Sequence, residues 1–459
     1  MSEFLDLVVI GDGEHALPAI IEAVREYKRA GVPRREMVLL LAQRFPWLYA
    51  PNFYTASYHD NGPLAGTLRD LRPTAPELPD RIERCHTPDF ETAPFPLRPL
   101  VPWLPVVHDR IAIEIMRGCP NLCRFCHAGY TKRPLRLRSV ERILELAEAG
   151  YWATGHDEIG LLSLSTSDYP QLTELAQRTN TRFAPRMVNI SFPSLRVDRM
   201  LQNLPWLGSS VRKGGLTLAV ETATDDLRAA IRKKVTEGNL LDGVRAAYEA
   251  GWTRVKLYFM AGFPGETEAD IDGIFELSRA VSQERRKVGK PPAAVTAAVG
   301  WLVPKPFTPL QWAAQPRVEY FESVRQRLRK LARERRSAVH FTMQPPEQSI
   351  IEAVLARGDR RLGPAILECW RQGGRLEGWK ENFSFPRWQA AFAAAGVDPD
   401  FYAHRARPAE ERLPWDHIGL YLPRTLLARG YREFCSRLEG RPGEAAGAGP
   451  AQSGKPLTS

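Results

Sequence analysis

The chain has 459 residues, 44% of them hydrophobic, which sets a loose expectation of about three domains and a large buried core and excludes a disordered chain. Lys and Arg number 63 against 53 Asp and Glu, a net +10 that favours anionic partners such as RNA, nucleotides or acidic small molecules without naming one. Six cysteines are too few for a disulfide scaffold, and three of them fall between positions 119 and 126, which reads as a metal site in a reducing compartment. No apolar run approaches the roughly 18 residues of a membrane span. The start, Met1-Ser-Glu-Phe-Leu-Asp, lacks the basic opening and long apolar stretch of a signal peptide, so a cytoplasmic location without membrane contact is expected.

In chain order, Leu5 to Ile10 reads as a strand, Gly11-Asp-Gly13 as a turn, and Ala16 to Ala30 as an amphipathic helix. Aromatic and small residues around Gly62 and Gly66 suggest a small hairpin within 45–70. Between Pro73 and Pro105 stand nine prolines, so 73–105 is expected to be an extended connector. Six candidate strands follow: Ile111 to Met116, Glu158 to Ser165, Met187 to Ser191, Leu216 to Glu221, Val255 to Met260 and Val295 to Val303. Helical stretches separate them, which predicts a parallel α/β domain over 106–315, either a doubly wound sheet or a partial barrel. Beyond Pro316 helical signals dominate, at Tyr320 to Arg336, Ser349 to Arg357, Leu362 to Arg371 and Trp388 to Ala395, predicting a helical C-terminal domain over 316–439. The glycine- and proline-rich 440–459 reads as a disordered tail.

Cys119-Pro-Asn-Leu-Cys123-Arg-Phe-Cys126 has the spacing CxxxCxxC and directly follows the first of the six strands. Three thiolates on such a loop can hold three irons of a [4Fe-4S] cluster and leave the fourth open to a small chelating ligand, such as the amino-acid end of S-adenosylmethionine. Three alternatives use the same residues. A Cys3His zinc site would recruit His127, but no second knuckle accompanies it. CxxCH is also a haem-attachment sequence, although that reading leaves Cys119 unused and expects export. Buried structural thiols suit this density poorly, whereas isolated Cys85, Cys369 and Cys435 read as packing residues.

The CxxxCxxC motif, with aromatic Phe125 before its third cysteine, resembles the signature of the radical S-adenosylmethionine superfamily. That resemblance implies a partial (β/α)6 TIM-like barrel with the loop after its first strand. It also implies a [4Fe-4S] cluster on Cys119, Cys123 and Cys126, S-adenosylmethionine as co-substrate, a reductant such as flavodoxin or ferredoxin, and reductive cleavage to a 5'-deoxyadenosyl radical. Around the strand ends it assigns cofactor contacts to Phe125, Ser163, Ser165, Glu221, Lys233, Gly262, Pro264 and Val303. Lys256 to Glu266, KLYFMAGFPGE, resembles the branch that includes methylthiotransferases and cobalamin-linked enzymes. IGDGE near the start, with VPKPFTPLQW, RGDRRL and LPWDHI later, resembles an uncharacterised group of cobalamin-binding-domain members. In that frame 1–72 is a remnant resembling the end of a cobalamin-binding Rossmann-like domain, plus the hairpin. The sequence has no DxHxxG segment to supply an axial histidine, which puts cobalamin binding in doubt. Seven basic residues, Arg325, Arg327, Arg329, Lys330, Arg333, Arg335 and Arg336, with only Glu334 among them, suggest an RNA contact along 325–336. Lys132, Arg133, Arg136 and Arg138 are read as an extension of that basic surface toward the cluster. The expected substrate is an RNA, a ribosome-related target or a small metabolite. The alternative function is an iron-sulfur module that mainly binds nucleic acid or another partner.

Overall fold

The computed structural model describes residues 2–104, 106–191, 216–335 and 337–439. The predicted tail and Arg336 of the basic run therefore lie outside the described residues. Among the described residues no helix is long and apolar enough to cross a membrane.

The first predicted strand forms over two residues, β1 (Val8–Val9), paired antiparallel with β2 (Leu48–Tyr49). Helices Gly13–Arg29 and Arg34–Arg44 share a small core of Ala23, Leu41 and Leu48. Gly11, at φ +123°, bridges to Cys85, and a Cβ there would sit 2.1 Å from the Cys85 carbonyl oxygen, so only glycine fits. The expected hairpin forms as β3 (Tyr54–Tyr58) and β4 (Leu68–Pro73). Side chains of the glycine turn then clamp the barrel. Buried Asp12 accepts from the Thr87 backbone at 3.0 Å and pairs with Arg136 and Arg117, and Glu14 pairs with Arg117 at 2.6 Å. The Arg117 hydrogen bond holds the Glu14 carboxyl down to about 2.

These ties correct one expectation: Arg136 and Arg138 do not extend a basic surface. Arg136 is spent on Asp12, and Arg138 is buried beneath the Phe90 ring, donating to the backbone carbonyls of Phe90 and Glu114. A buried guanidinium must find acceptors, and the irregular connector supplies them.

The central domain is parallel, as alternation predicts. β5 (Ile111–Glu114) ends in a short antiparallel pair, β6 (Met116–Arg117) with β7 (Arg136–Leu137), that closes the base of the cysteine loop. β8 (Glu158–Leu162) and β9 (Asn189–Ser191) complete a three-stranded parallel sheet in the order β5-β8-β9. A second parallel sheet runs β10 (Leu216–Glu221), β11 (Arg254–Ala261), β12 (Ala294–Trp301) and β13 (Val339–Met343). The strands of each sheet follow one another in chain order, with only the β6–β7 pair set between β5 and β8, the winding of an open, partial barrel. Valine, leucine and phenylalanine alternate inward along β11 and β12, so Val255, Leu257, Phe259, Val295 and Val299 are buried. Helix Glu268–Glu284 covers this face, opened by the capping box that Thr267 and Asp270 make.

β13 corrects the six-strand count. It adds a seventh parallel strand from a region read as purely helical. Val339-His-Phe-Thr-Met343 buries only Val339 fully, as an edge strand can, so its sequence lacks the apolar density that marked the others. The predicted C-terminal helices form at Val318–Glu334, Pro346–Arg357, Gly363–Arg371 and Phe385–Ala394, with a further one at Arg424–Leu438.

Candidate active site

The cysteine loop leaves β6 through Gly118, whose φ of +89° and 2.8 Å approach to the Lys132 carbonyl exclude a side chain. Arg124, between the second and third cysteines, is 2% exposed and anchors the loop from behind. Its backbone nitrogen donates to Ile231 O at 3.0 Å, its Nη1 to Ala230 O at 2.5 Å and its Nη2 to Glu433 Oε2 at 2.6 Å. Tyr130 OH donates to Leu122 O at 3.1 Å, and Asn121 Nδ2 donates to Asp168 Oδ2 at 2.6 Å while standing 3.6 Å from Cys119 Sγ. The loop is thus fixed by the C-terminal end of helix Asp225–Ala230, by the turn after β8 and by the last helix.

The three thiols lie within one another's electrostatic reach. Burial, reinforced by neighbouring Cys126, Glu221 and Cys119 and opposed by Lys233, pushes the Cys123 thiol up to about 11. Burial likewise raises Cys126, with Cys119 and Glu221 adding to it. Among the described residues no three His, Cys, Asp or Glu side chains converge as a single metal ion would require. Three thiols on one loop, within one another's electrostatic reach, are the donor set that a [4Fe-4S] cluster takes.

Glu221 closes β10 at φ +75°, where the register with β11 shifts. A left-handed non-glycine conformation costs on the order of 1–3 kcal/mol and concentrates at functional sites. Here it turns the carboxylate toward Lys233, whose Nζ donates to Glu221 Oε1 at 3.0 Å, both side chains being mostly buried. Two residues predicted separately are therefore one ion pair beside the cysteines.

Other predicted residues are met in different ways. The Phe125 ring stands edge-on to Phe263, centroids 6.3 Å apart, so the loop reaches the turn carrying Gly262 and Pro264. Ser165 is buried and donates to Asp168 at 2.7 Å, the carboxylate that also holds Asn121, while Ser163 shares a 2.9 Å hydrogen bond with Thr166. Val303 is buried in the core beyond β12, so only its backbone is available to a ligand. Cys85 and Cys369 are buried, in keeping with packing roles. Of the basic helix, Arg325 pairs with Glu322 and Arg327 with Asp272 and Glu268, leaving Arg329, Lys330, Arg333 and Arg335 exposed.

Gly262, φ +102°, lies against helix Val318–Glu334, and a Cβ there would stand 2.7 Å from the Phe321 ring. Its backbone nitrogen donates to Glu266 Oε2 at 2.6 Å, and the same oxygen accepts from Tyr320 OH at 2.6 Å. Gly262→Ala is therefore expected to lower stability by about 1–3 kcal/mol, read as a drop in the urea midpoint at unchanged slope.

Sequence reasoning missed Arg124, Asn121, Asp168 and Glu433. The first two sit inside the motif as apparently variable letters. Glu433 lies some 300 positions away, where only the fold makes it a neighbour.

Residues 113–278 match the Radical SAM superfamily. An uncharacterized protein of Methanocaldococcus jannaschii is 29% identical over 288 residues, covering 62% of this chain and 60% of that protein. The ribosomal protein uS12 methylthiotransferase RimO of Desulfotalea psychrophila is 27% identical over 37% of this chain and 40% of its own length. Among solved structures, the radical S-adenosylmethionine methyltransferase TsrM of Kitasatospora setae, with cobalamin and a [4Fe-4S] cluster bound, aligns at TM-score 0.34 and 15% identity, covering 46% of this chain and 39% of that one. The chain spans less than two thirds of the length of these curated relatives.

Proposed function

We propose, from the premise that residues 113–278 form a radical S-adenosylmethionine superfamily domain, that the protein is an enzyme that reductively cleaves S-adenosylmethionine to modify a further substrate. The observation that carries this reading is the grouping of Cys119, Cys123 and Cys126 with the Glu221–Lys233 ion pair at the strand ends. When bound on the three thiolates, a [4Fe-4S] cluster supplies an open iron for the amine and carboxylate of S-adenosylmethionine and the electron that breaks its carbon-sulfur bond, giving a 5'-deoxyadenosyl radical.

The chain's own residues bind and orient. Glu221 can accept hydrogen bonds from a ribose hydroxyl or an ammonium, and Lys233 can pair with a carboxylate, each exchanging part of the present ion pair for a ligand contact. Phe125 and Phe263 form an apolar wall that keeps water from the reacting atoms. Ser163 and Ser165 shape the turn after β8, and the turn of Gly262 and Pro264, packed on Phe321, together with the backbone of Val303 bounds the place of the nucleoside. No role is assigned to cobalt.

For the substrate, an RNA or ribosome-associated target is supported by two features. RimO is named for a ribosomal protein and other relatives for tRNA modification, and helix Val318–Glu334 exposes Arg329, Lys330 and Arg333, with Arg335 just past its end. A flavodoxin or ferredoxin is the natural class of reductant.

Anaerobically reconstituted protein, reduced with dithionite in the presence of S-adenosylmethionine, is expected to release 5'-deoxyadenosine. Release no greater than that of Cys123→Ala overturns the proposal. Salt-sensitive RNA binding that persists in Cys123→Ala, together with that failure, would favour the partner-binding alternative.

A further inference from the structure

The proposed reaction consumes an electron that must reach the cluster through the protein. Transfer falls off steeply with distance, so the outer wall of the cysteine loop matters, and at one place it is thin. Cys123 Sγ lies 3.7 Å from the carbonyl oxygen of Arg232, and the Arg232 side chain is on the surface, 42% exposed. Cys123 is itself only partly buried, so the thiol and the residue it touches both lie close to the surface.

That thin place is ringed by cations drawn from two segments distant in sequence. Arg232 and Lys234 come from the turn after helix Asp225–Ala230, and Arg429, Arg432 and Arg437 come from helix Arg424–Leu438, all exposed. The helix is pinned there by Phe434 and Leu438, which share a core with Leu227, Ile231 and Leu310. Glu433, inside the ring, is already claimed by Arg124 at 2.6 Å, Arg232 at 2.8 Å and Arg429 at 2.9 Å. Glu439, at the end of the helix, is the other acid nearby. Two adjoining clefts, of about 220 and 370 Å³, open between the turn and the helix, and Arg124, Arg232 and Glu433 line both. The patch is therefore cationic and indented, and it meets the cysteine loop at Arg232, whose carbonyl touches Cys123 Sγ.

Resting on the reading of the chain as a radical S-adenosylmethionine enzyme, we propose that this Arg232–Arg429–Arg437 face is the docking surface for an acidic one-electron donor protein, which delivers its electron by way of the Arg232–Cys123 contact. The reduced donor loses one electron and the cluster gains it; no group or proton is transferred. Opposite charge speeds such encounters and orients them, and electron-transfer complexes characteristically use small, salt-sensitive interfaces. The exposed cations of helix Val318–Glu334 belong to a different element and are not needed for this contact.

The test uses the reconstituted full chain, reduced flavodoxin as donor, and the double variant Arg432→Glu with Arg437→Glu, which leaves the Glu433 pairs with Arg124, Arg232 and Arg429 in place. Flavodoxin-driven release of 5'-deoxyadenosine at low salt is expected to fall about tenfold or more in the variant, while dithionite-driven release stays within about twofold of the parent. Flavodoxin binding measured directly by calorimetric titration should weaken in parallel, and binding to the parent should weaken as salt rises. Equal flavodoxin binding by parent and variant overturns the docking surface, as does an equal loss with dithionite, which would mark a structural defect. If the parent releases nothing with dithionite, the functional reading fails, and the binding titration still decides the surface.

Discussion

Replacing Arg357 with methionine is expected to destabilise the protein by about 3–5 kcal/mol, the sum of several buried carbonyls each losing a donor at roughly 1–3 kcal/mol. Arg357 is wholly buried on helix Pro346–Arg357. Its Nε donates to Tyr402 O at 2.8 Å, its Nη1 to Ala313 O at 2.5 Å and its Nη2 to Arg405 O at 2.9 Å. Its own carbonyl accepts from Arg407 at 2.6 Å, and Arg407 with Arg405 shares buried Glu411. Burial, then the charges of Arg407 and Arg405, push its pKa well below the ordinary arginine value, with Glu411 opposing. This one guanidinium ties the segment after β12 to the loops that precede the last helix. Methionine keeps the bulk of the stem and removes every donor. A fall of less than 1 kcal/mol in urea unfolding would mean that water or relaxed backbone replaces the donors, contrary to what the burial implies.

The second large effect is expected at Arg124. Arg124→Met should reduce the iron retained after anaerobic reconstitution to less than about half that of the parent and lower stability by about 2–4 kcal/mol, because it strips donors from a buried carbonyl and a carboxylate. The side chain reaches Ala230 O and Glu433 while its backbone joins Ile231, so it is the crosspiece between the cysteine loop, the turn bearing Lys233 and the final helix. Arg124→Lys, which keeps the charge but not the fork, should recover only part of the loss. Visible absorbance of the reconstituted protein, followed beside thermal unfolding, separates a loosened loop from a general loss of fold. Unchanged iron content in a destabilised variant would show that the loop holds its shape without this anchor.

Much of the barrel is legible because its strands carry a buried apolar residue at every second position. Leu216–Glu221 was bounded correctly, and Val255–Met260 to within a residue at each end. β13 escaped because an edge strand needs only one buried residue in five, and its His340 and Thr342 read as loop. At the site, the cysteines announced themselves by spacing, and Glu221 by standing at a strand end before a run of helix-starting residues. That Glu221 turns left-handed to meet Lys233 was not legible, since nothing in the letters marks a positive φ outside glycine. Arg136 and Arg138 misled for a related reason: an arginine looks the same in sequence whether it faces water or caps a buried carbonyl.

The sequence by itself determined the local chemistry: three thiols on one short loop after a strand, glycines where the chain turns sharply, and a β/α alternation that permits few architectures. Each depends on neighbours a few residues apart, and their physics is local. Only the tertiary structure decided what stands behind the loop. Glu433, Arg232 and Arg124 meet because the last helix buries Phe434 and Leu438 against helix Asp225–Ala230 and its C-cap Ile231, and such long-range burial is set by the packing of whole elements rather than by any motif. The same packing brings cations from positions 232 and 429 to one face, converting a weak excess of charge into a located surface.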